Sequence, residues 1–271
     1  MAEEPPPLTQ AQEKEVEERS APEAKIVHAA VSRQGEDELG RPLGSLFWSG
    51  LAAGIAMMAS VSLQGAFHQR LPDAPWRELV GALGYSVGFM IVILGRMQLF
   101  TEQTMVAVLP LARETTARNF GRVGRLWAVV FIGNVIGAAL ISAAAFYLHL
   151  QSKELTGAML EVSSKILEKT PGETFAQAIP AGFLIASVAW IRSATDDSSF
   201  WIVLVITYAI GIGGFTHVIA GAAEAFLLLW SGKAGILWVI GTFLIPVLLG
   251  NIVGGTGLFA MLAHAQVKEE I

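Results

Sequence analysis

Long uncharged runs separated by short polar stretches set the pattern of this chain. A helix that crosses a bilayer needs about 20 mostly apolar residues. The first run, Leu43–Phe67, holds no charged residue. The second, Leu79–Gly95, is apolar up to Arg96, continues through Met97–Thr101, meets Glu102, and resumes over Gln103–Ala112. Leu126–Ser152 and Thr174–Ile191 carry no Asp, Glu, Lys or Arg. Ser198–Ala223 is uncharged apart from the titratable His217, and Glu224 interrupts its continuation to Gly232. Ala234–Val267 is the last run. The pattern predicts an all-α membrane protein of six transmembrane helices, with helices two and five interrupted.

Two of these runs contain the same short motif. Gly133-Asn134-Val135-Ile136-Gly137 lies in the third, and Gly250-Asn251-Ile252-Val253-Gly254 in the sixth. A polar amide in an apolar run is costly without a partner. Phe100, in the polar interruption of helix two, precedes Asn134 by 34 residues, and His217, in the interruption of helix five, precedes Asn251 by 34. This spacing predicts a duplicated unit of three spans. Three is odd, so the copies have opposite topology, an inverted 3+3 repeat of the kind that places a site near the bilayer midplane. Broken helices expose backbone N–H and C=O groups, which lipid does not satisfy. The breaks must therefore face protein or a hydrated path. Gly50 and Gly54, Gly84 and Gly88, and the two motif pairs repeat small residues at four-residue spacing, which lets helix backbones approach closely.

The breaks carry the candidate chemistry. Helix two breaks at Arg96-Met97-Gln98-Leu99-Phe100-Thr101-Glu102-Gln103-Thr104. An Arg and a Glu at that depth need partners or water. Helix five breaks at Gly211-Ile212-Gly213-Gly214-Phe215-Thr216-His217, where three glycines weaken the helix. A histidine beside such a break reads as pore-facing, with an ordinary pKa of about 6.5 that suits proton exchange with a weak acid.

Composition narrows the reading. Hydrophobic residues make up 53% of the 271-residue chain and charged residues 15%, against about a quarter charged in a typical soluble domain. Residues 1–40 hold ten acids and four bases, while the whole chain is −5, so the acidity belongs to the tail. That tail opens with Pro5-Pro6-Pro7 and is expected to be a mobile cytoplasmic segment, with a short amphipathic helix possible around Ala24–Val31; residues 41–271 form the transmembrane channel domain. No nucleic-acid partner is implied. No cysteine is present, which removes disulfides, thiol nucleophiles and Cys metal sites. Glu224 with His217 is too thin for a metal site, and there is no phosphate-cradling loop, so neither an enzyme nor a cofactor is expected. With the N-terminus inside, eleven Lys and Arg fall on the inner side and six on the outer, which predicts that both termini are cytoplasmic.

Leu99-Phe100-Thr101, Phe215-Thr216-His217-Val218-Ile219-Ala220 and Gly250-Asn251-Ile252-Val253-Gly254-Gly255 together resemble the second-, fifth- and sixth-span signatures of the formate/nitrite transporter family. The resemblance covers residues 41–265 or so. It implies an aquaporin-like fold in a bacterial inner membrane, a homopentamer with one pore per protomer, and passage of small monovalent anions. It also implies a constriction at Leu99, Phe100 and Thr101 and a central histidine at His217. Thr216, Ile210, Glu102, Asn134 and Asn251 complete the expected pore set. A lysine that draws anions toward the pore corresponds to Lys169, with Lys165 as the other candidate. The sequence departs from the family pattern at Gln98 and Thr216, where acids are usual, at Glu102 and Gln103, at Gly221 in place of Asn, and at Arg96. These departures resemble the divergent YfdC-like branch.

The expected function is passive or proton-linked permeation of a small monovalent anion such as formate or nitrite. Two alternatives stand beside it. One is a small-cation channel, for ammonium for example, in which Glu102 and Glu224 set selectivity. The other is a membrane scaffold or sensor that transports nothing.

Overall fold

The structure is a computed structural model that describes residues 9–10, 20–195 and 198–271. Residues 1–8 and 11–19 of the acidic tail, Pro5-Pro6-Pro7 among them, lie outside the described residues. All regular structure among the described residues is helical. In chain order it comprises α1 (Ala24–Gly40), α2 (Leu43–Ala56), α3 (Met58–Arg70), α4 (Arg77–Leu94), α5 (Phe100–Val106), α6 (Val108–Arg113), α7 (Ala117–Tyr147), α8 (Lys153–Ser164), α9 (Pro171–Ala194), α10 (Ser199–Ile212) and α11 (Val218–Trp230). The last rod runs through a π-helical stretch (Trp238–Leu244), α12 (Ile245–Ile252), a second π-helical stretch (Val253–Ala260) and α13 (Met261–Val267).

Among the described residues, five helical rods are long and apolar enough to cross a membrane: Leu43–Arg70, Arg77–Leu94, Ala117–Tyr147, Pro171–Ala194 and Trp238–Val267. The apolar helices α10 and α11 are each shorter. The expected interruptions are present, between α4 and α5 and between α10 and α11.

Small residues set the packing. A Cβ on Gly54 would run into the backbone carbonyl of Asn134, and one on Gly137 into that of Leu51, so the first and third rods touch backbone to backbone. The rods Pro171–Ala194 and Trp238–Val267 do the same, with Gly182 against the carbonyl of Asn251 and Gly254 against that of Ile179. Without water to drive helices together, such close approach lets van der Waals contact and interhelical hydrogen bonds hold the bundle.

The N-terminal helix differs from the expectation. It runs to Gly40 rather than ending near Val31, and Val27, His28, Val31, Ser32, Gly35 and Leu39 are buried. A Cβ on Gly35 would strike the carbonyl of Val106, so the helix lies directly on the α5–α6 backbone. Arg122 bridges to Glu36 at 2.9 Å, and Arg125 donates to the Leu39 carbonyl. A mobile tail therefore does not describe residues 24–40. Their charges obscured a buried face of small and apolar residues.

Candidate functional site

Both breaks are built from the same parts. Helix α4 ends with Arg96 in the left-handed region (φ 55°), and α10 ends with Gly214 there (φ 62°). At each end the chain closes in a Schellman turn. The Arg96 N–H donates to Ile93 and the Met97 N–H to Val92; the Gly214 N–H donates to Gly211 and the Phe215 N–H to Ile210. Glycine takes a positive φ freely, whereas arginine does so at a penalty of roughly 1 kcal/mol. Arg96 is exposed at its turn.

The chain then returns extended into the bundle through Leu99 (φ −104°, ψ 122°) and His217 (φ −110°, ψ 130°), and a new helix starts after each. New starts leave orphan N–H groups, and the two motif asparagines take them. Asn134 Oδ1 accepts from the Phe100 N–H at 2.9 Å, and its Nδ2 donates to the carbonyls of Gly50 and Gln98 at 2.7 and 2.8 Å. Asn251 Oδ1 accepts from the Val218 N–H at 2.9 Å, and its Nδ2 donates to Ala178 and Thr216 at 2.7 and 3.1 Å. Each amide thus satisfies three backbone groups that lipid could not. The residue paired with Phe100 is Val218, not His217, and the sequence separations are 34 and 33.

His217 itself caps α11. Its Nδ1 accepts from the N–H groups of Ile219 and Ala220, at 3.3 and 3.2 Å. An Nδ1 that accepts carries no proton, so the neutral ring holds its hydrogen on Nε2. That Nε2 meets Thr101 Oγ1, from the other break, at 2.6 Å. The ring is 1% exposed and stands edge-on to Phe89, with centroids 4.8 Å apart. The two breaks therefore touch through one histidine and one threonine.

A cavity of about 280 Å³ leads to this contact from the side of the molecule that carries α8. Its walls include Lys165 and Lys169 at the rim, Tyr85, Phe215, Phe243 and Glu224 deeper, and Thr216 and His217 at the floor. Lys169 donates to the Gly214 carbonyl at 2.8 Å, which ties the lysine to the glycine turn. Burial pushes the Lys169 ammonium below the ordinary lysine value, while Glu224 and Glu173 act in the opposite sense. Lys165 also lines the cavity, but its ammonium is engaged with Glu78 at 2.5 Å. That separates the two candidates. A Cβ on Gly221 would sit 2.5 Å from the Phe243 ring, so the missing side chain there is what seats the ring against α11.

The other expected residues divide. Thr101 joins His217. Leu99 is fully buried, and the Phe100 ring packs against Trp127 and Phe131, with centroids 5.7 and 5.2 Å away, rather than lining the cavity. Ile210 is buried as well and supplies the carbonyl that closes the α10 turn. Asn134 and Asn251 are completely buried and hold the breaks, because their amides are fully spent on backbone. Glu102 is buried and lies 3.6 Å from Arg192 of α9, so its charge is met there and not by Arg96. Gln98 bridges Glu38 of α1 (2.8 Å) and Gln103 (2.9 Å), and Thr216 donates to the Thr174 carbonyl (2.8 Å). Tyr85, Phe243 and the position of Glu224 were not legible as one wall. They come from three separate spans and share no spacing.

Comparison with known proteins converges on one family. A family model described as formate/nitrite transporter matches residues 25–265. The inner membrane protein YfdC of Escherichia coli (strain K12) is 37% identical over 255 residues, covering 94% of this chain and 82% of that protein. The formate channel FocA of Haemophilus influenzae is 26% identical over 238 residues, covering 77% of this chain and 82% of that protein. Among solved structures, a pentameric formate channel with formate bound superimposes with a TM-score of 0.72 at 21% identity, covering 84% of this chain and 98% of that one. That likeness is one of fold.

Proposed function

The chain belongs to the formate/nitrite transporter family, and from that membership we propose that it forms a channel through a bacterial inner membrane for a small monovalent anion of a weak acid. The observation that carries this reading is the cavity that descends past Lys169 to the His217–Thr101 contact between the two breaks. An anion is drawn to Lys169, which has no carboxylate within 4.0 Å among the described residues. Below it the walls become aromatic and apolar, which opposes a bare charge. The solute passes this stretch best as the neutral acid.

In this reading α10 and α11 are the two halves of the fifth of six spans, and the molecule is an inverted repeat. The matched Schellman turns and matched asparagine bonds support it, since corresponding backbone groups are held by corresponding side chains in the two halves. The balance of Lys and Arg supports cytoplasmic termini. The pentameric assembly of the formate channel that shares the fold supports a homopentamer.

Purified protein in liposomes tests the function. Formate influx above empty liposomes is expected, with a reversal potential that follows the anion under a salt gradient, and Lys169→Gln is expected to slow influx several-fold. A reversal potential that follows the cation would overturn the reading in favour of Glu224 as a cation-selecting acid. Glu102 gives that alternative little support, because Arg192 meets its charge.

A further inference from the structure

The cavity contains an acid, Glu224, to which the anion reading assigns no role. Glu224 stands two turns beyond His217 on α11 and faces the cavity, half-buried. It makes no hydrogen bond and no ion pair within 4.0 Å among the described residues. The polar groups at the floor are committed, whereas Gln64 Nε2 on the wall is an amide donor and not an acid. His217 uses Nδ1 to cap α11 and Nε2 on Thr101, and Thr216 donates to the Thr174 carbonyl. For His217 to take a proton from the cavity, Nδ1 would have to stop accepting from two N–H groups and the cap would be lost. The floor histidine is therefore a poor source of an exchangeable proton, and Glu224 is the free acid that solvent and solute can both reach.

The charged groups facing Glu224 define its setting. Lys169 and Lys165 lie on the linker above it, and Tyr85 of α4 lies opposite. Lys165 is engaged by Glu78. Further out at the rim, Arg77 pairs with Asp73 and His68 with Glu161, each at 2.9 Å. The charged groups of the cavity left without an ion-pair partner within 4.0 Å among the described residues therefore include the Lys169 ammonium at the rim, which also donates to the Gly214 carbonyl, and the Glu224 carboxyl below it.

We propose that Glu224 is the proton donor of this pore, handing its proton to a small carboxylate held by Lys169; this rests on the anion reading given above. The ammonium of Lys169 holds one carboxylate oxygen of the solute, and the carboxyl of Glu224 donates to the other. In the step itself the O–H bond of Glu224 breaks and an O–H bond forms on the solute, while Glu224 keeps the electron pair as a carboxylate. The solute, now a neutral acid, enters the aromatic stretch between Phe243 and His217. Solvent in the open cavity returns a proton to Glu224. Release on the far side follows the same exchange with water there. The arrangement also sets the substrate class: a monocarboxylic acid supplies one acceptor for the ammonium and one oxygen that can be protonated, and an anion of a strong acid, such as chloride, does not.

Formate and chloride flux into proteoliposomes, measured from about pH 5 to about pH 8, tests the proposal. For Glu224→Gln the formate rate is expected to fall on the order of tenfold or more at the alkaline end, where the solute rarely arrives neutral, and to approach the wild-type rate at the acid end. Glu224→Asp is expected to keep much of the wild-type pH profile. Infrared difference spectra of wild type should show a protonated-carboxyl band that changes on adding formate and is missing in Glu224→Gln; this readout does not depend on flux. Unchanged formate flux in Glu224→Gln, or an equal loss at every pH, would overturn the proposal while leaving the anion channel in place. Cation-selective flux in the wild type, or no flux of formate at all, would overturn both.

Discussion

Replacing Asn251 with alanine removes one side-chain amide and leaves three backbone groups without a partner: the Val218 N–H and the carbonyls of Ala178 and Thr216. Asn251 is 0% exposed, so bulk solvent does not reach the vacated position directly. Side-chain hydrogen bonds inside membrane proteins average about 0.6 kcal/mol and reach about 1.7 kcal/mol. Three such bonds give about 2–5 kcal/mol. In a bundle of this size each kcal/mol lowers the unfolding temperature by roughly 2–4 °C, so a drop on the order of 10 °C is expected for detergent-solubilised protein. The loss falls on the break that presents His217, so flux should fall further than stability alone explains. Asn251→Asp refines the test. It keeps the acceptor for Val218 but turns the donor toward two carbonyls into a second acceptor, and should be no better than alanine. Asn134→Ala removes the corresponding three bonds and should lose a similar amount. An unfolding temperature within about 2 °C of wild type for both alanine variants would refute the view that these amides hold the breaks.

Other outcomes follow from packing and charge. Gly54→Ala and Gly182→Ala drive a methyl into the carbonyls of Asn134 and Asn251. Overpacking of this kind costs about 1–3 kcal/mol, and more against backbone, so both should reduce the folded yield on size-exclusion chromatography. Gly241→Ala, with nothing within 4 Å, should not. At the opposite end of the bundle, His28 Nε2 meets His264 Nδ1 at 3.2 Å, and burial, His264 and Arg113 all push His28 below the ordinary histidine value. A histidine depressed in the docked state is neutral there and binds more protons when released. Docking of α1 is therefore at full strength above about pH 6.5 and weakens as pH falls below it. Proteolysis within α1 should accelerate on acidification, and His28→Asn should remove most of that dependence. A protease rate in wild type that does not change with pH would count against it.

The periodic content of the chain settled much by itself. Uncharged runs of about 20 residues determined that this is a helical membrane protein, because a spanning helix needs that length and satisfies its own backbone, whereas a barrel strand crosses in about 9–11 residues. Paired Gly-Asn motifs at equal distances from two polar interruptions pointed to matched breaks, because an amide among apolar residues must have a partner. What that partner is could not be read from spacing. Asn134 and Asn251 were expected in the pore set, and their amides bond backbone groups at the two breaks, since an asparagine serves a solute or a carbonyl equally well. Glu102 looked like a pore acid until Arg192, from another span, came within 3.6 Å. The N-terminal helix looked like a solvated tail until its small residues met α5 and α6. Local sequence fixes which groups need satisfying, because that depends on the residue and its immediate medium. Which groups satisfy them, and which remain free to face a solute, depends on elements far apart in the chain and is decided only when they pack.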